Sequence, residues 1–100
     1  MVYGEYIQDA QLALSKELTK LLPSNLNCIY PVNSGAEANE AAIKLVKRTT
    51  NRHKIIAFEG AYHGSTIGAL SVSGNENKKR AFRPLMPGVD TIRLNNMDDL

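Results

Sequence analysis

One cysteine, Cys28, is all the chain carries, so no disulfide closes within it and no cysteine-based zinc site can be assembled. Its setting, Cys28-Ile29-Tyr30, is apolar, and a small core residue is the expected role. His53 and His63 lie far from any second ligand pair, so no metal is expected. The apolar runs fall well short of a bilayer span. Met1-Val2-Tyr3-Gly4-Glu5 has neither a basic leader nor an apolar signal core, and a cytoplasmic location away from membranes is expected. Charge of one sign is scarce too: the formal net charge is +2. The one basic cluster, Lys78, Lys79, Arg80 and Arg83, is interleaved with no aromatic but Phe82, which reads as a solvated loop and not as a nucleic-acid footprint. No P-loop, dinucleotide fingerprint or nucleophile elbow is present, and Ser34, Ser65, Ser71 and Ser73 have no base and acid partners at a known spacing.

What is present is a folding composition, with 43% hydrophobic residues over 100 positions. That length accommodates one small domain, and no linker or repeat divides it. Ile7, Ala10, Leu14, Leu18, Leu21 and Leu22 recur at helical spacing, which predicts a helix near 6–22 stopped by Pro23 and Ser24. Leu26–Val32 reads as a strand. Alanine-rich Ala36 to about Arg48 reads as a second helix, with Glu40 and Lys44 spaced for an i, i+4 ion pair. Lys54–Phe58 reads as a buried strand, Thr66 to about Ser73 as a short helix, and Gly74–Gly88 as mostly irregular. Thr91–Leu94 reads as a third strand, after which Asn96 is placed to cap another helix. Helices alternating with strands define the α/β class with a mostly parallel sheet.

Open α/β sheets collect ligands beyond the carboxyl ends of their strands. The loops after Val32 and after Glu59 are therefore the places where chemistry is expected. In the first, Asn33-Ser34-Gly35-Ala36-Glu37, a small-residue turn feeding a helix leaves backbone amides free for an anion, and Gly35 permits close approach. The same residues equally spell an ordinary capping box, with Glu37 completing it. In the second, Ala61-Tyr62-His63-Gly64-Ser65-Thr66, Tyr62 can stack on a planar heterocycle or pack on a neighbouring helix, and His63 can brace the loop or move protons.

Taken together, Asn33-Ser34-Gly35-Ala36-Glu37-Ala38-Asn39-Glu40-Ala41-Ala42-Ile43-Lys44 and Tyr62-His63-Gly64-Ser65-Thr66 resemble the class III aminotransferases, the group of the acetylornithine, ornithine and gamma-aminobutyrate enzymes. The likeness extends through Phe82-Arg83-Pro84-Leu85 and Pro87-Gly88-Val89. It implies part of the three-layer α/β/α large domain of fold type I pyridoxal-phosphate transferases. It also implies cofactor binding by Ser34, Gly35 and Ala36 at the phosphate and by Tyr62 at the ring, with His63 beside them. Where the ornithine branch commonly has an arginine that binds a substrate carboxylate, this chain has Ser65, which speaks against acetylornithine or ornithine as the amino donor.

The resemblance further implies an enzyme that transfers an amino group from a donor amine to a 2-oxo acid, working as a homodimer. The family's cofactor-bonding lysine and its aspartate partner of the pyridine nitrogen belong to sequence downstream of this match. No catalytic residue is therefore assigned here, and the 100 residues alone are expected to be an inactive part of a longer protein, unstable as a free monomer. Glutamate semialdehyde aminomutase shares the same motifs, and a non-catalytic α/β phosphate-binding or assembly module is the other alternative.

Overall fold

A computed structural model describes residues 7–100. Tyr6, where the first helix is expected to start, and Met1–Glu5 lie outside the described residues. The chain divides into two compact units, Met1–Pro31 and Val32–Leu100.

The first unit is built on α1, Asp9–Leu21. Asp9 in its first turn and Lys20 in its last complement the helix dipole. Leu22 leaves the helix in an extended conformation, as a residue close before Pro23 must. The strand expected at Leu26–Val32 does not form: these residues adopt no regular structure. A strand is held by its ladder, and the described sheet has two strands, neither of them in this segment. Cys28 is accordingly exposed, not a core residue.

The second unit runs α2 (Gly35–Thr50), β1 (Ile55–Phe58), α3 (Ile67–Ser71), α4 (Glu76–Lys79) and β2 (Val89–Ile92), with 3-10 turns at Arg80–Phe82 and Met97–Asp99. α2 ends where Asn51 enters the left-handed region (φ 55°) and returns its amide to Lys47 O at 3.0 Å. β1 and β2 are parallel, in the register Ile55↔Val89 through Phe58↔Ile92. β2 thus starts two residues before the expected Thr91. β1 is buried on one side only: Ala57 is covered, whereas Ile56 and Phe58 on the other face are exposed. The result is an incomplete α/β domain with helices and a small two-stranded parallel sheet.

The core centres on α3 and its exit, where Ala69, Leu70, Ser71, Val72 and Ser73 are all buried. Both serines satisfy their hydroxyls within the turn, Ser71 Oγ on Ile67 O (2.6 Å) and Ser73 Oγ on Ala69 O (3.0 Å). The Gly74–Gly88 segment is more ordered than its composition suggests. Asn75 caps α4 by accepting from Asn77 N, and Arg83 grips Glu76 through two hydrogen bonds of 2.9 and 2.6 Å. Nor is the basic cluster a uniformly solvated loop: Lys79 is buried and donates to Ser71 O at 3.0 Å. Asn96 caps the last 3-10 turn through Asp98 N.

Candidate functional site

At the start of α2, Ser34 stands in an extended conformation and its Oγ accepts from Glu37 N at 3.2 Å. Glu37 Oε2 in turn accepts from Asn33 N at 2.7 Å and from Asn33 Nδ2 at 3.1 Å. The capping arrangement is therefore present, yet it uses only the Glu37 amide of the first turn. The Gly35 and Ala36 amides have no partner among the described residues. Ser34 spends an acceptor lone pair on its cap and keeps its hydroxyl proton to donate outward. A helix cap and two amides unpartnered among the described residues therefore coexist here.

The Tyr62–Thr66 loop closes on that helix start. Gly64 (φ 125°) lies so near α2 that a Cβ on it would stand 2.6 Å from Ala36 Cβ and 3.1 Å from Ala69 Cβ. Asn39 Nδ2 donates to His63 O at 2.7 Å, and His63 N donates to Ser73 Oγ at 3.2 Å. The half-buried side of α2 carries Ala36, Asn39, Glu40 and Ile43, the one-turn spacing that faces a single neighbour. All five residues singled out in the sequence, Ser34, Gly35, Ala36, Tyr62 and His63, line one groove of about 650 Å³. Tyr62 is 66% exposed, so its ring is available to a ligand. Its hydroxyl lies 3.3 Å from Ser65 Oγ, and Lys78 Nζ sits 5.2 Å from the ring centroid. Tyr62 is not buried against a neighbouring helix, although Lys78 of α4 lies beside its ring.

Sequence reasoning missed Asn39, Glu40 and Ser73 as supports of this loop. Asn39 and Glu40 were legible as the residues one turn after Ala36 on its own face; nothing near Ser73 marks it. Glu40 makes no ion pair with Lys44. Its Oε1 instead accepts from Thr66 Oγ1 at 2.7 Å and from Ala69 N at 3.1 Å. The Thr66 hydroxyl, with the Ala69 and Gly68 amides behind it, holds the Glu40 carboxyl below its ordinary value of 4.5 against the opposing effect of burial. A carboxyl depressed in the folded state stabilises the fold fully above its unfolded value and loses that contribution as pH falls through the lower folded value. The melting temperature of wild-type protein is therefore expected to fall more steeply below about pH 4.5 than that of Glu40→Gln. Parallel curves would show that Glu40 contributes nothing through its charge.

Comparison with known proteins matches this arrangement to one family. Residues 1–99 match the family described as aminotransferase class-III. Over 85 residues, 85% of this chain, the sequence is 46% identical to the LysW-aminoadipate semialdehyde/glutamate semialdehyde transaminase of Sulfurisphaera tokodaii, covering 22% of that protein. Among solved structures, adenosylmethionine-8-amino-7-oxononanoate aminotransferase from Methanocaldococcus jannaschii superposes with a TM-score of 0.84 at 29% identity, over 94% of this chain and 23% of that one. Taurine:2-oxoglutarate aminotransferase from Bifidobacterium kashiwanohense, solved in complex with PLP and glutamate, gives 0.78 at 30% identity over 97% of this chain and 22% of that one. The chain belongs to the class III aminotransferases. It spans about a fifth of the length of the relatives it matches.

Proposed function

We propose that this chain forms part of the cofactor-binding domain of a pyridoxal-phosphate-dependent aminotransferase that moves an amino group from a donor amine to a 2-oxo acid. The observation that carries the reading is the meeting of two loops, 33–37 and 61–66, in one groove with free amides on one wall and an exposed aromatic on the other. These residues fit the cofactor. The Gly35 and Ala36 amides and the Ser34 hydroxyl would bind its phosphate at the positive end of a 16-residue helix. Tyr62, steadied by Ser65, would lie against its ring, and His63, tied through its backbone to Asn39 and Ser73, would fix the height of that aromatic. When bound, pyridoxal phosphate supplies the electron sink that amino-group transfer requires. The chain's own contribution is to bind and orient, since none of the described groove residues is a lysine.

The family match and the PLP recorded in the taurine relative support this reading, and that relative's acceptor supports a 2-oxo acid as the second substrate. The proposal extends to a homodimer. Its test is borohydride trapping of pyridoxal phosphate in the whole protein, followed by peptide mapping. The expected label falls outside residues 1–100. Trapping on any of the seven lysines of this chain would overturn the assignment of a purely binding role.

A further inference from the structure

Glu40 lies one turn inside α2, away from the groove lining, yet it holds the loop that carries Tyr62. Its Oε1 receives both the Thr66 hydroxyl, which closes the Tyr62–Thr66 loop, and the Ala69 amide in the first turn of α3. Its Oε2 lies where a Cβ on Gly68 would collide with it, so the carboxylate sits directly against the α3 backbone. Thr66, the N-cap of α3, makes no cap bond with its own side chain, and its hydroxyl donates to Glu40. A carboxylate reaching across from α2 thus replaces the local cap of α3.

We propose that Glu40 is a positioning residue for the cofactor ring, acting through the Thr66 end of the loop to set Tyr62 against the start of α2. The proposal rests on the reading of Tyr62 and Ser34 as cofactor contacts. An amide at position 40 would keep one acceptor but present an NH2 donor to a wall of donors, Thr66 Oγ1 and the Gly68 and Ala69 amides. The loop would swing while the Ser34–Ala36 cradle, held by Glu37, stayed in place.

The test is a pair of double-mutant cycles on the affinity of the whole protein for pyridoxal phosphate, followed by absorbance. Glu40→Gln is expected to weaken binding about tenfold, the loss of one charge-assisted contact. Combined with Tyr62→Ala it should weaken binding by less than about twofold further, because its effect runs through Tyr62; combined with Ser34→Ala the tenfold loss should persist. A merely structural role would reduce affinity equally in both backgrounds, and that outcome overturns the proposal. Should Tyr62→Ala by itself leave affinity unchanged, the site reading fails instead, which keeps the two apart. If Glu40→Gln does not fold, Thr66→Val takes its place in the same cycles, with the same pattern expected.

Discussion

Replacing Gly64 with alanine is expected to destabilise the protein by about 3 kcal/mol and to weaken pyridoxal phosphate binding by more than about tenfold. Two independent effects combine. At φ 125° the backbone of Gly64 occupies a conformation that side chains rarely adopt, worth roughly 1–3 kcal/mol in strain. The added methyl would also stand 2.6 Å from Ala36 Cβ, 3.0 Å from Ala36 Cα and 3.1 Å from Ala69 Cβ, against a comfortable carbon separation of about 3.5–4.0 Å. Neither neighbour can yield by rotating a side chain, since both are alanines on helices; the loop or a helix must move as a whole. Moving either one separates Tyr62 from Gly35 and Ala36, so stability and affinity should fall together. Denaturant midpoints measure the first and absorbance titration the second. Ala36→Gly in the same chain removes the nearest contact but not the φ strain, and should restore only part of the loss. An unaltered midpoint for Gly64→Ala would mean that the loop does not lie on α2.

Those contacts also show which parts of the molecule could be read in advance. α2 was legible because its signals are local: a small polar N-cap, alanines through the body, Glu37 in the first turn and basic residues in the last. The meeting of Gly35 with Tyr62 was inferable from the resemblance; the strand-end rule pointed correctly to the Tyr62 loop, which follows β1, but no strand precedes Ser34 among the described residues. Leu26–Val32 failed for the opposite reason. Its β-forming composition is a local preference, and a strand exists only where a second backbone offers partners. Glu40 and Lys44 had the right spacing for an ion pair, but the Thr66 hydroxyl and the Ala69 amide are a better set of donors for a carboxylate than one exposed lysine, and they come from 26 and 29 residues away. α4 escaped because four residues are too few for a period to show; its order comes from the Asn75 cap and from Lys79 reaching Ser71.

Gly35→Pro separates the two meanings of the Ser34 turn, because proline removes one amide and little else. Gly35 is the first residue of α2 after its N-cap, the position where proline is best tolerated and where the lost N–H has no helical partner. Ser34 already has the extended backbone (ψ 163°) that a residue before proline requires. A Cβ at position 35 meets no atom outside its own turn within 4 Å, so the start of the ring has space. If the turn only caps a helix, the substitution should be neutral or raise stability by about 0.5 kcal/mol through the restricted unfolded chain. If the Gly35 amide binds the cofactor phosphate, stability should behave in the same way while affinity for pyridoxal phosphate falls roughly 10- to 100-fold, the worth of one hydrogen bond to a charged group. Gly35→Ala, which keeps the amide and adds bulk in the same direction, should lose less than the proline variant. Thermal melts with and without cofactor make the comparison: the apo transition is expected to hold steady and the cofactor-induced rise to shrink, because that rise reports ligand binding to the native state alone. A proline variant with full affinity would reduce Ser34–Glu37 to a helix cap and remove the phosphate from this end of α2.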